Sequence, residues 1–117
     1  MWMIIAAVSG ALAVVCGAFG AHGLKARLEP AQLEAWTTAT QYHLLHSVVL
    51  LALALFAAQS GKSIQLPAGL FSVGMLLFSG SIYLLVLTQM RWLGPVTPIG
   101  GLLLIAGWLS LLRLGGE

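Results

Sequence analysis

The sequence predicts an all-α integral membrane protein, a four-helix bundle with almost no mass outside the bilayer. Of its 117 residues, 60% are hydrophobic and only 7% are charged, whereas a soluble domain carries about 25% charged residues. The apolar residues fall into four runs, each long enough to cross about 30 Å of hydrocarbon. A soluble domain of this size could not hide so much apolar surface, because small domains keep a high ratio of surface to volume. We therefore expect one transmembrane domain.

The first two helices follow from the first two apolar runs. The first span covers residues 2–23 and contains no charge. The second helix is expected to begin near Pro30, where proline's missing N–H has no cost, and to end near Gln59. Such a helix is about 45 Å long and exceeds the hydrocarbon core. We therefore predict that 42–58 span the bilayer and that 30–41 are an interfacial extension.

The last two helices follow a polar turn and a short connection. The third span covers residues 66–89, with Pro67 in its first turn. The fourth covers 97–114, with Pro98 near its start. The tryptophans lie mostly near the span ends, as expected for an aromatic belt. They are Trp2, Trp36, Trp92 and Trp108.

The few charges restrict both partners and orientation. A net charge of +2 without a basic patch gives no support for nucleic-acid binding, and the predicted partner is the lipid bilayer. Lys25, Arg27 and Arg91 lie in the first and third connections, while Lys62 and Arg113 lie on the other side. Cytoplasmic connections carry the excess of Lys and Arg. We predict that both termini are periplasmic, with dual insertion as the alternative.

The first span carries small residues at every fourth position. Such a face lets a second helix approach closely, which matters in lipid because packing replaces the hydrophobic drive. We interpret it as a packing surface for another part of the chain, for a second copy or for a larger membrane complex. Glycines in the fourth span make that helix a candidate partner. The proposed packing residues are Ser9, Ala13, Gly17, Ala21, Gly100, Gly101 and Gly107.

Three histidines could carry chemistry. His22 ends the first span, and His43 and His46 lie on neighbouring faces of the second helix. We expect His22 and His46 to meet at the cytoplasmic membrane face, directly or through Tyr42 or Ser79. Neutral imidazoles can bind metals or haem, and a proton-sensitive or ligand-contacting role is a further alternative. Hydrogen bonding between helices is the favoured interpretation, because a metal site needs three or four converging ligands and no Cys, Asp or Glu accompanies the histidines.

The third span carries a polar stripe formed by Ser72, Ser79 and Tyr83, with Ser81 beside it. Polar groups in lipid seek partners, so the stripe should face the bundle as structural glue or line a polar cavity. No carboxylate or cation lies in the middle of a span. This disfavours a proton-coupled small multidrug transporter, which depends on a membrane-embedded glutamate. The sequence also lacks a catalytic triad and a nucleotide loop. Cys16 is the only cysteine, so a redox cysteine pair is not possible within the chain.

Several short motifs together resemble one family. They are Gly17–Leu24; Trp36, Thr38, Ala39, Tyr42 and His46; Phe78–Tyr83; and Thr97–Gly101 with Gly107 and Trp108. These motifs resemble the YgdD-like family of small bacterial inner-membrane proteins, a family of unknown function with eukaryotic relatives. The resemblance covers nearly the whole chain. It implies four spans, an inner-membrane location and no assigned activity.

The resemblance also selects residues. It directs attention to His22, Tyr42, His46, Ser79, Ser81, Tyr83, Thr97 and Pro98. In similar sequences glutamine often stands where this chain has His43, which leaves His22 and His46 as the better pair. The complete candidate polar cluster is His22, Tyr42, His43, His46, Ser79, Ser81 and Tyr83.

Three functions follow from these features. The first is a structural or accessory subunit that packs through its glycine-rich helix face, as a homo-oligomer or in a larger complex, without enzymatic activity or a cofactor. The second is a transporter or channel for a small neutral molecule, with Ser79, Tyr83 and His46 along the path. The third is a metal- or haem-binding protein that uses His22 and His46. A dry bundle favours the first function, and a continuous polar cavity favours the second.

Overall fold

The computed structural model describes residues 1–115, and all regular structure in them is helical. This confirms the predicted all-α class, and four of the helical segments are long and apolar enough to cross a membrane. The elements are α1 (Trp2–Ala18), continued by one turn of π-helix (Phe19–Leu24), α2 (Pro30–Ser60), α3 (Gln65–Thr88), a 3-10 turn (Arg91–Leu93), α4 (Val96–Ser110) and the short α5 (Leu112–Gly115).

Helix α2 is one uninterrupted helix, and local structure stabilises both of its ends. Pro30 occupies its first turn, and the backbone N–H of Glu29 donates to Gln32 Oε1 over 3.2 Å as part of a capping box. The helix ends at Gly61, whose φ of +74° favours glycine, and the Gly61 N–H donates to the Ala57 carbonyl. The expected extension, residues 30–41, is therefore continuous with the rest of the helix.

The helices pack in chain order. Helix α1 packs on α2, α2 on α3, and α3 on α4, so that α1 and α4 lie at opposite ends of a row. The resulting molecule is long and flat, measuring 49 × 26 × 18 Å along its principal axes. The fourth span, a candidate partner for the small-residue face of the first span, therefore does not pack on that span within one chain. Helix α4 instead presents its glycines to α3.

The α3–α4 pair is held by glycine contacts. A Cβ atom on Gly100 would lie 2.2 Å from the backbone nitrogen of Phe78, so the two helices nearly touch there. A Cβ on Gly107 would meet the Phe71 ring at 2.9 Å. Gly101 is less restricted, since its Cβ would lie 3.7 Å from the Phe78 ring. The fourth span thus has a packing face, and α3 fills it.

The small-residue face of α1 is divided between two environments. Ala13 is buried against the rest of the bundle, and Ser9 Oγ lies 2.6 Å from Ser47 Oγ of α2. A Cβ on Gly17 would meet no atom within 4 Å, and Ala21 is exposed. Within one chain, Ser9 and Ala13 are therefore the positions of this face that contribute to packing in the bundle.

Trp36 lies in the core and not in an aromatic belt at the surface. Its side chain is 3% exposed, and its Nε1 donates to the Cys16 carbonyl of α1 over 2.8 Å. The indole also fills the space beside Gly20 in the π-helical turn, where a Cβ would lie 2.6 Å from it. Trp92 in the last connection is 67% exposed, in agreement with an interfacial position.

Candidate functional site

His46 lies near the middle of α2 and is 3% exposed. Its Nδ1 lies 2.8 Å from the Tyr42 carbonyl, and Trp108 Nε1 lies 3.1 Å from its Nε2. A carbonyl only accepts and an indole N–H only donates, so Nδ1 carries the proton and Nε2 accepts. Nε2 therefore links α2 to α4, while Nδ1 is held by the carbonyl one turn earlier in α2. The side chain acts as a structural bridge with a fixed tautomer.

His43 and Tyr83 form a second polar link, between α2 and α3. His43 Nδ1 lies 3.0 Å from the Tyr83 hydroxyl, and the Tyr83 ring packs against Trp36 with centroids 4.7 Å apart. One turn away, the buried Ser79 donates to the Ala39 carbonyl over 2.8 Å. Two residues of the polar stripe, Ser79 and Tyr83, thus face α2 and find partners there, as expected for polar groups inside a bundle, whereas Ser72 does not.

A third link joins α3 to α4. Ser81 Oγ donates to the Phe78 carbonyl over 3.0 Å, and the hydroxyl groups of Ser81 and Thr97 are also hydrogen-bonded. Since the Ser81 proton is directed at Phe78, Thr97 is the donor in the second bond. Tyr42 contributes its ring, which packs 4.8 Å from that of Phe78 between centroids. These contacts are structural in character. The hydroxyl groups bond within the protein because the bilayer core supplies no water to bond with them.

The predicted link between His22 and His46 is wrong. His22 is exposed on the π-helical turn at the end of α1, and its ring takes part in none of the hydrogen bonds found within residues 1–115. His46 lies near the centre of its helix, and both of its nitrogens are already bonded. The two residues were expected at similar depth because the spanning part of α2 was predicted to begin at residue 42. In the described part of the chain, no three His, Cys, Asp or Glu side chains converge to hold a metal.

A cleft lies between α1 and α3, with α2 at its base. We call it the α1–α3 cleft; its volume is about 540 Å³. Its walls are apolar, with Val8 and Leu12 on α1 and Leu76 on α3, and the His43–Tyr83 pair lies in its lining. Its remaining lining residues are Ile4, Ile5, Ser9, Cys16, Ser72, Met75, Ser79 and Gly80.

One polar atom in the α1–α3 cleft stands apart. Ser72 Oγ is buried and has no hydrogen-bond partner within the described residues. Ser79 and Tyr83 are bonded, and Ser9 Oγ bonds to Ser47 across the α1–α2 contact. The cleft therefore combines apolar walls with a satisfied polar base, and the unpaired Ser72 hydroxyl lies beneath its surface.

Two residues of the polar network were not singled out from the sequence. The sequence pattern places Trp108 in the aromatic belt and gives no reason to select Ser47. The signal for Trp108 is its position six residues before the predicted end of the fourth span, deeper than a belt residue. Ser47 gives no comparable signal, because serine is common in membrane helices. Only the register of α1 against α2 brings it to Ser9.

The comparisons with known proteins assign a family. Residues 16–101 match the family described as "Protein of unknown function (DUF423)". The chain is 41% identical over 111 residues to the UPF0382 membrane protein SSP2132 of Staphylococcus saprophyticus, covering 95% of this chain and 92% of that protein. It is 41% identical over 113 residues to the UPF0382 membrane protein YwdK of Bacillus subtilis, covering 95% and 92%. No solved structure matches. The chain therefore belongs to the DUF423/UPF0382 family of membrane proteins of unknown function.

Proposed function

We propose that this protein is a non-enzymatic structural subunit of the bacterial inner membrane, and that it assembles with copies of itself through one face of α1 and α2. The observation that carries the proposal is a regular apolar seam on α1, most of which is exposed in the described chain. The polar groups inside the bundle support a packing role, since most of them hold its own helices together. The proposal includes no cofactor.

The seam on α1 has heptad spacing. Its members alternate steps of three and four residues, the period at which one helix face meets a partner in a left-handed crossing. Most are small, which permits close approach in lipid. Val14 in this seam is 61% exposed, and the position beside Gly17 is open. The α1 seam consists of Met3, Ala7, Gly10, Val14, Gly17 and Ala21.

Helix α2 carries a complementary ridge next to the α1 seam. Leu44, Val48, Leu51 and Leu55 follow steps of four, three and four residues, and all four are exposed. A groove of about 380 Å³ lies between the two helices and is lined by parts of both sets. A two-fold axis along the membrane normal would insert the α2 ridge of each copy into the α1 seam of the other. Such an interface is isologous and closes on itself.

The proposed location in the inner membrane rests on a family likeness. The short motifs resemble those of the YgdD-like inner-membrane proteins, and this resemblance supports placement in the bacterial inner membrane. A transport path through Ser79 and His46 has less support, because both side chains are bonded to neighbouring helices. A metal or haem site at His22 and His46 has less support, because both nitrogens of His46 are bonded and His22 lies apart from it at the end of the first span.

The packing proposal predicts that Gly17→Leu abolishes self-association and leaves the fold intact. The open space beside Gly17 admits a side chain within one copy, whereas a leucine in the seam would hold two copies apart. Overpacking of this kind typically costs about 1–3 kcal/mol. Single-molecule photobleaching in lipid vesicles, at several protein-to-lipid ratios, measures the dimer fraction.

The matched control is Gly69→Leu, which places leucine at another helical glycine with open space around it but outside the seam. This variant should associate like the unchanged protein. If Gly17→Leu keeps the dimer fraction of the unchanged protein, or if the unchanged protein is monomeric at all ratios, self-assembly through the α1 seam is refuted.

The orientation proposal predicts that both termini face the periplasm. Lys25 and Arg27 follow the first span and should hold that connection in the cytoplasm. A reporter active only in the cytoplasm, joined after Glu117, which lies outside the described residues, should be silent. A reporter active only in the periplasm should be active at the same position. Cytoplasmic activity alone would reverse the orientation, and activity of both reporters would demonstrate dual insertion.

A further inference from the structure

We infer that the membrane face holding the α2–α3 connection binds an anionic phospholipid, with the phosphate between Lys62 and Arg113 and an acyl chain in a groove between α2 and α4. None of the residues that line this site belongs to the α1 seam or to the α2 ridge. The inference therefore does not depend on self-assembly, and it holds for either orientation of the chain in the membrane.

The phosphate is indicated by a basic pocket at one end of the bundle. Lys62 of the α2–α3 connection and Arg113 of α5 line a concavity of about 290 Å³, together with Ser63. Both basic side chains of this face are thus brought to one place from distant parts of the sequence. An arginine fork, a lysine ammonium group and a hydroxyl are groups that bind phosphate oxygens in proteins.

The donors of the basic pocket are held in position by the chain itself. Lys62 Nζ donates to the Leu114 carbonyl over 3.2 Å, and an ammonium group has three N–H donors, so the others remain for a ligand. Ser63 Oγ accepts the backbone N–H of Gln65 over 3.4 Å, which leaves the hydroxyl proton available. Donors that are ordered before the ligand arrives lower the entropic cost of binding.

The charge of the basic pocket matches an anion. Glu29 and Glu34 lie at the beginning of α2, whereas Lys62 follows its end, roughly 40 Å or more away along the helix. No carboxylate side chain of the described residues therefore neutralises the pair, and Glu117 lies outside those residues. Two positive charges at a membrane surface are complementary to the phosphate of an anionic lipid.

The acyl chain is indicated by an apolar groove that adjoins the basic pocket. This α2–α4 groove has a volume of about 430 Å³. Its walls include Val49 and Phe56 on α2 and Trp108 and Leu111 on the other side. Leu114 lines both the groove and the basic pocket, so a single molecule can occupy the two together.

The length of the α2–α4 groove matches one leaflet of a bilayer. Along α2 the distance from Ser60 to Val49 is about 17 Å at a rise of about 1.5 Å per residue. Half of the hydrocarbon core is about 15 Å thick. A lipid with its phosphate at Lys62 therefore has its acyl chains at the depth of the groove. A free phosphate would use the basic pocket alone, so the groove favours a lipid.

Native mass spectrometry of the delipidated protein in a mild detergent tests this inference. The probes are phosphatidylglycerol and phosphatidylcholine with identical acyl chains, and the fraction of protein carrying a lipid is measured against lipid concentration. We expect the apparent Kd for phosphatidylglycerol to be about tenfold lower, because the choline charge compensates the phosphate of the other lipid. Equal affinities would overturn the recognition of an anionic headgroup.

A competition experiment separates a lipid from a free phosphate. Inorganic phosphate should displace phosphatidylglycerol no better than chloride does at equal ionic strength, because it makes no contact with the α2–α4 groove. Specific displacement by inorganic phosphate would overturn the assignment to a lipid and would give the basic pocket to a free phosphate.

Charge variants locate the phosphate. Lys62→Gln and Arg113→Gln should each weaken phosphatidylglycerol binding about fivefold, the contribution of one basic residue at a membrane surface, and leave phosphatidylcholine binding unchanged. The matched control, Lys25→Gln, removes one positive charge from the opposite face and should change neither affinity. Glu117→Gln should retain the preference for phosphatidylglycerol. An equal loss in Lys25→Gln, or loss of the preference in Glu117→Gln, would overturn the site.

Tryptophan variants locate the acyl chain. Ala52→Trp places an indole in the α2–α4 groove and should weaken the binding of both lipids several-fold. Ala58→Trp adds the same indole at another exposed alanine of α2, outside the groove, and should leave binding unchanged. Unchanged lipid binding in Ala52→Trp, or an equal loss in both variants, would overturn the placement of the acyl chain.

Discussion

Replacing Gly100 with alanine is expected to destabilise the bundle by about 3 kcal/mol, the upper end of the usual cost of overpacking. The new Cβ would lie 2.2 Å from the Phe78 nitrogen. A backbone atom cannot rotate away as a side-chain end can, so α3 and α4 must separate along their contact. Circular dichroism during titration of a mild-detergent sample with SDS gives the free energy of unfolding.

The neighbouring glycine is the matched control. Gly101→Ala adds the same methyl group on the same helix, but that group would meet only the edge of the Phe78 ring, at 3.7 Å. The variant should have nearly unchanged stability, since alanine is also the better helix former. Equal stabilities for Gly100→Ala and Gly101→Ala would contradict the close α3–α4 approach.

Replacing Trp36 with alanine is also expected to have a large effect. It should lower the free energy of unfolding by about 3 kcal/mol. Large-to-small core substitutions of Phe or Trp typically cost about 3–5 kcal/mol, and entry of lipid into the space left behind should place this one at the lower end. The indole fills the space beside Gly20, packs on Tyr83 and donates to the Cys16 carbonyl. The same titration measures the loss.

Two further substitutions separate the parts of this effect. Trp36→Phe keeps most of the packing and removes the hydrogen bond to Cys16, so it should cost about 1 kcal/mol. Trp92→Ala removes an indole that is 67% exposed and should leave stability nearly unchanged. If Trp92→Ala costs as much as Trp36→Ala, then Trp36 is not the core residue described above.

The features that depend on composition and local chemistry could be predicted from the sequence. The four apolar runs predict four long helices, and Pro30 does lie in the first turn of α2. The orientation of the polar stripe also follows, because Ser79 and Tyr83 must find partners inside a bundle. These predictions need only the length of a run, the properties of proline and the cost of unpaired polar groups in lipid.

The features that depend on the relative positions of helices could not be predicted. His22 was expected beside His46, but the depth of His46 depends on how α2 is placed against α1, and the long helix allows several placements. The partner of Gly100 could have been any helix with a close backbone. Likewise, Trp36 and Trp92 both lie near span ends in the sequence, although one is buried and the other exposed. Periodicity along one helix contains no information about such pairings.

The row of helices has a consequence for biogenesis. Each helix packs mainly against its neighbours in the chain, α1 on α2, α2 on α3 and α3 on α4. When a helix enters the membrane from the ribosome-bound translocation channel, its partner is therefore already there or is the next to be made. The main helix contacts do not require a distant part of the chain, and local contacts of this kind form early and fast, whereas side-chain bonds such as that of His46 with Trp108 form once the later helix arrives. Synthesis order and packing order coincide, so the bundle can be completed as the last helix leaves the channel.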